Sequence, residues 1–130
     1  MNYIPESRRN LIENNVRAYA YLATTMDDGS PQVTPVWFNT EGELILINSA
    51  KGRIKDHNIR SRPSVALLIA DPKDPHRNVQ VRGRIVGITE EGALEHISTL
   101  ATKYRGRPWT PVSGQVRMIY QLLTEHVSTK

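Results

Sequence analysis

Residues 44–70, LILINSAKGRIKDHNIRSRPSVALLIA, decide the fold of this 130-residue chain. LILIN (44–48) is an aliphatic run that reads as a strand. Asn48-Ser49-Ala50-Lys51-Gly52 breaks it. Residues 52–61 then suit a short helix. Pro63 bounds that helix, because the residue before a proline avoids the helical region. VALLIA (65–70) is a continuous apolar run of strand length, which predicts a strand buried on both faces.

Toward the N-terminus the pattern is a β-meander. Residues 17–25 (RAYAYLATT) alternate and are rich in Tyr and Thr, which favours a strand. Asp28-Gly29 is a strong hairpin signal, and QVTPVWF (32–38) follows as a strand. Pro35 confines that strand to an edge, a bulge or a position without a ladder bond. Residues 40–43 form a second turn, and residues 6–14 suit a first short helix. Toward the C-terminus, VQVRGRIVGI (79–88) alternates until Val86 and Ile88 fall on the wrong parity, so a bulge is expected at Gly83 or Gly87. Thr89 is placed to cap a helix over 90–104, whose stripe is Leu94, Ile97, Leu100, Ala101 and Tyr104. Residues 105–114 read as a loop and VRMIYQLL (116–123) as the last strand. Six strands with two or three short helices predict a mainly β or α+β domain, and a barrel is the favoured way to hide the strand edges.

Composition bounds the rest. A hydrophobic fraction of 38% and a charged fraction of 23% suit one globular domain over residues 1–130. The absence of cysteine excludes disulfides, a thiol nucleophile and cysteine-ligated metal. No apolar run approaches the roughly 20 residues of a membrane span. The start, MNYIPESRRNLIENN, is charged and broken by Pro5, unlike a signal peptide. A soluble cytoplasmic protein is expected. The net charge is +4, and segment 51–62, with five bases and one acid, carries all of it. One basic cluster in a neutral body suits a local anion better than a nucleic-acid coat. With only 6% aromatic residues there are few platforms for base stacking, which argues against nucleic-acid binding through 51–62.

The strongest chemical signal is NSAKGRIK (48–55), lying between a strand and a helix. Helix-start N–H groups attract anions, Gly52 permits close backbone approach, Ser49 adds a hydroxyl, and Arg53 and Lys55 add charge. The segment reads as a phosphate or phosphodiester cradle, or else as a capped, solvated basic helix. It is not a Walker loop. QVTPVWF is the second signal: proline frees a neighbouring carbonyl for a ligand, and Trp37 can cover a planar ring or simply fill a core. His57, His76, His96 and His126 show no metal-ligand spacing and read as isolated surface residues. No metal site, serine triad or paired carboxylates are indicated, so chemistry would come from a bound cofactor.

These residues resemble the pyridoxamine 5′-phosphate oxidase-like split-barrel superfamily. Within it, the chain is most similar to the small deazaflavin- or flavin-dependent oxidoreductases often labelled as using coenzyme F420. The resemblance runs through LATTMDDGSPQVTPVWF (22–38), residues 44–69, DPKDPHRNVQVRGRI (71–85), YRGRPW (104–109) and residues 115–129. It implies a six-stranded split β-barrel homodimer with two cofactor sites at its interface. Carried over by position, Asn48, Ser49, Arg53 and Lys55, with Lys51 and Asn58, would hold the phosphate of FMN or the phosphodiester of the deazaflavin. Gln32, Val33, Thr34, Pro35 and Val36 would line the ring. Arg77 and Asn78 would come from the partner chain, and Trp109 would approach the site. The chain ends in EHVSTK without the further C-terminal elements of the full vitamin B6 oxidase, so pyridoxal phosphate synthesis is not expected. The GRIK pattern favours F420 over FMN. The implied activity is hydride transfer to a small conjugated acceptor. An FMN enzyme, a flavin or deazaflavin carrier and a heme-type ligand binder are the alternatives on the same barrel.

Overall fold

Trp37 divides what the sequence presents as one strand. In the computed structural model, which describes residues 3–129, β1 (Tyr19–Thr25) pairs with β2 (Pro31–Val36), while β3 (Phe38–Glu41) pairs with β4 (Leu44–Ala50). The expected second strand and the start of the expected second turn are therefore two strands joined by a single residue. The other elements are α1 (Ile54–Ser61), β5 (Ser64–Ala70), β6 (Asn78–Thr89), α2 (Ala93–Arg105) and β7 (Arg117–Ser128), with a 3₁₀ helix at Glu6–Ile12. One seven-stranded sheet results, in the order β2-β1-β5-β6-β7-β4-β3, so seven strands replace the six expected. Strands adjacent in sequence lie at opposite edges of that sheet. A one-residue joint spans only about 7 Å. The sheet must therefore curl until its edges nearly meet, which leaves a split barrel with its seam at Trp37.

Pro35 sits on an edge strand, where its missing N–H removes no ladder bond to a further neighbour. The inner face follows the period of two: Ala20 and Leu22, Val65, Leu67 and Ile69, Val79, Val81 and Ile85, and Tyr120 and Leu122 are all buried. Phe38, Ile45 and Ile47 close the other side, and the 3₁₀ helix plugs one end with Leu11. The bulge falls where the pattern required it. Ile85 pairs with Leu122 and Gly87 with Gln121, which leaves Val86 extra and exposed and lets Ile88 pack on the core. Gly83 sits at a second register shift, facing β7 so closely that a Cβ would lie 2.0 Å from the Leu123 carbonyl oxygen.

Three expectations need correction. β5 is buried on one face only: Ala66 and Leu68 are half-buried, because no layer covers the outside of β1, β2, β5 and β6 in the single chain. α2 begins at Ala93, after Gly92, and the Thr89 hydroxyl accepts the Glu91 N–H instead of capping the helix. The buried stripe is Ala93, His96, Ile97, Leu100 and Ala101, with Leu94 exposed. His96, expected at the surface, is only 8% exposed. No helix among the described residues is long and apolar enough to cross a membrane.

Candidate functional site

The loop between β4 and α1 is folded around a buried carboxylate. Asp56 accepts the Gly52 N–H at 3.0 Å, the Arg60 Nε–H at 3.0 Å and the Tyr120 hydroxyl at 2.5 Å. Burial alone would raise its pKa, but these bonds outweigh it and hold the carboxyl below its ordinary value. Gly52 takes φ of 91°, which brings the chain round to a helix start with no side-chain cap. The first N–H groups of α1 therefore carry no intrahelical partner and leave a positive end.

Beside that end, a cleft of about 280 Å³ opens across the seam. Its cationic wall is Arg53, Lys55 and Arg117, and no carboxylate lines it. Lys55 is 8% exposed and has no side-chain partner among the described residues. Burial, then the charges of Arg53 and Arg117, lower its pKa. Arg117 is 6% exposed, and burial followed by Arg53 draws its pKa down to about 10. The Ser49 hydroxyl is buried in the same wall without a partner. Unpaired cations and an orphaned donor in a dry wall are unfavourable alone, and an anion satisfies both.

An aromatic cluster adjoins these cations. Trp37 stacks on Tyr104 at 5.4 Å between centroids, and Trp109 meets Trp37 edge-on at 6.5 Å. The Arg105 guanidinium lies 4.8 Å from the Trp37 ring and 5.3 Å from that of Trp109, while Arg117 lies 5.0 Å from Trp109. The Tyr104 hydroxyl donates to the Ala18 carbonyl at 2.9 Å, and burial raises its pKa to about 12. Tyr19 and Tyr21 stand at the mouth, both partly exposed.

Of the residues singled out from sequence, Pro35, Val36, Trp37, Asn48, Ser49, Arg53, Lys55 and Trp109 line this cleft. The Asn48 side chain is fully engaged: Nδ2 donates to the Ala93 carbonyl and to His96 Nδ1, and Oδ1 accepts from Arg117 Nε. Gln32 faces inward and accepts the Thr24 hydroxyl, and the Thr34 hydroxyl is buried on the same face. Val33 and Asn78 lie instead at a hollow on the outer face of the sheet. Asn58 is buried beneath α1, donating to Thr24 Oγ1 and the Met26 sulfur. Lys51 is exposed, its N–H bonded to the Val116 carbonyl. Arg77 does not reach outward: it is committed to Asp71, the Ser7 carbonyl and Asn10 of its own chain. Arg117, Tyr19, Tyr21, Tyr104 and Ile97 line the cleft without having been singled out for the site. No cluster of three potential metal ligands occurs among the described residues.

A curled β-sheet carrying a basic, carboxylate-free cleft at its open seam defines a split-barrel protein. The chain belongs to the pyridoxamine 5′-phosphate oxidase family, whose sequence profile matches residues 8–121. The solved structure of an F420 reductase is 31% identical, with a TM-score of 0.87, covering 98% of this chain and 100% of that one. A conserved hypothetical protein from Mycobacterium tuberculosis is 20% identical with a TM-score of 0.73, covering 95% of this chain and 82% of its own. The General Stress Protein 26 of Bacillus anthracis is 16% identical with a TM-score of 0.68, covering 94% and 89%. These last two share the fold. No curated protein matches the sequence.

Proposed function

We propose that this protein is an oxidoreductase holding a deazaflavin of the F420 type in the seam cleft. The carrying observation is the carboxylate-free set of Arg53, Lys55 and Arg117 around an unpartnered Ser49 hydroxyl. That set fits the phosphodiester of F420 and equally the phosphate of FMN. The F420 reductase, similar over 98% of this chain, favours the deazaflavin. Bound there, such a cofactor supplies hydride transfer to a small conjugated acceptor. The chain's part is positioning. Arg53, Lys55, Arg117 and the start of α1 hold the anionic tail. Pro35 and Val36 set the depth of the ring. Tyr19, Tyr21 and Trp109 keep water from its edge.

The working unit is a homodimer formed through the uncovered outer face. Tyr19, Tyr21 and Val33 are exposed there, with Ala66 and Leu68 half-buried on the next strand, β5. Asn78, whose Nδ2 donates to the Pro75 and His76 carbonyls of its own chain, borders this face with Gln80 and would be the residue a partner brings to the second site.

Both tryptophans of the chain line the cleft, so quenching of intrinsic fluorescence reports its filling. Titration with F420 and with FMN tests the reading, and Arg53→Ala should weaken the preferred cofactor at least tenfold. Tight F420 binding with turnover of a conjugated carbonyl or quinone supports the proposal. A preference for FMN moves the protein to flavin chemistry, and binding without turnover makes it a carrier. Binding of neither removes the function proposed.

A further inference from the structure

We propose that His96, acting through Asn48, is a positioning residue that aims the Arg117 guanidinium at the anionic ligand; this rests on the function proposed above. Arg117 is gripped by neutral groups alone. Its Nε donates to Asn48 Oδ1 at 2.8 Å and its Nη1 to Gln115 Oε1 at 3.1 Å, with the Trp109 ring beneath it. A guanidinium has five N–H bonds, so the remaining donors are left for the cleft that Arg117 lines. A carboxylate in place of Asn48 would hold the arginine more tightly, but it would cancel the charge the ligand needs.

Asn48 can offer Oδ1 to Arg117 only while its Nδ2 hydrogens are spent elsewhere. One goes to the Ala93 carbonyl at 2.9 Å and the other to His96 Nδ1 at 3.1 Å. Nδ1 accepts only if the ring is neutral with its proton on Nε2. Asn39 Oδ1, 2.8 Å from Nε2, holds the proton there. The groups facing His96 are thus Asn39, Asn48 and the Arg117 charge, with no acid among them. Burial, then Arg117, lowers the His96 pKa to about 4, which keeps the ring uncharged through neutral pH. The relay ties β3, β4, α2 and β7 together, and three of these, β4, α2 and β7, line the cleft.

The test is a double-mutant cycle read as cofactor affinity, with F420 and FMN as probes. His96→Leu removes the acceptor and should weaken binding by up to about tenfold, the scale of one lost hydrogen bond. His96→Gln, which restores an acceptor and a donor, should recover most of that loss. Arg117→Lys keeps the charge but not the geometry and should weaken binding by itself. If His96 acts through Arg117, the His96→Leu/Arg117→Lys double variant binds no worse than Arg117→Lys alone. Losses that multiply, or a folded His96→Leu protein that binds like the wild type, overturn the inference. Should His96→Leu fail to fold, Asn39→Ala takes its place in the cycle with the same expectation. A wild type that binds neither probe overturns the underlying function and this relay with it, whereas additive losses in a protein that binds well sink the relay alone.

Discussion

Acid should destabilise this protein through one buried ring. The perturbation is protonation of His96, whose pKa falls from 6.5 to about 4 on folding. The cause is burial first and the nearby Arg117 second. Between those two values the unfolded chain binds a proton that the folded chain refuses, so stability rises with pH. The contribution is complete above pH 6.5 and is lost as pH falls toward 4. At about 1.4 kcal/mol per tenfold, the full span is worth about 3 kcal/mol. For a domain of this size that is roughly 10 °C in Tm. The assay is urea unfolding at intervals from pH 7.5 to pH 4, on the wild type and on His96→Gln. Gln keeps an acceptor toward Asn48 and a donor toward Asn39 but does not titrate. The difference between the two curves isolates residue 96 from the other histidines and from the carboxylates. The wild type should lose about 3 kcal/mol more than the variant over this range. Parallel curves would refute the reasoning, because they would mean that residue 96 carries no proton-linked energy.

Lys55→Met should raise stability by about 1 kcal/mol or more, since a buried unpaired charge is replaced by a side chain of similar shape. The same variant should lose at least about tenfold in cofactor affinity; denaturant midpoints and fluorescence titration read the two effects. Gly83→Ala should cost several kcal/mol or prevent folding, because its Cβ would meet the Leu123 carbonyl oxygen at 2.0 Å. Gly87→Ala should cost less, because the atom met there is the movable end of the Gln121 side chain. Leu68→Asp on the outer face should yield a folded monomer in sedimentation analysis, and a persisting dimer would place the interface elsewhere.

Local patterns were readable in the sequence where one physical rule acted alone. The parity break at Val86 announced a bulge, and Pro35 confined its position to an edge, a bulge or an unbonded site, of which the edge is the one found. The anion cradle was visible because Gly52, Arg53 and Lys55 are neighbours in the chain. Arg117 was hidden because it opens an apolar strand 62 positions after Lys55, and only the β4–β7 pairing brings it across. His96 was read as a surface residue from its polar type and its lack of metal-ligand spacing, although its four-residue spacing from Leu100 puts it on the buried face of α2. Trp37 looked like the interior of a strand, since nothing local distinguishes a run that pairs with one neighbour from one that changes neighbours midway. The second strand residues split for a similar reason: Pro35 and Val36 reach the seam, while Val33 turns to the outer face.

The joint at Trp37 also couples two registers that lie at opposite ends of the hydrogen-bonded order. Val36 is aligned with Ala20 on one edge, and Phe38 with Ile47 on the other. Both are buried, two residues apart. One residue inserted here would force either β2 or β3 to slip by one, turning Val36 or Phe38 toward water. Slack cannot be absorbed in a loop, because there is no loop. The two sides of the cleft are thus indexed to each other through the chain itself. A shift of the β1–β2 edge must be felt at β4, where Asn48 and Ser49 stand.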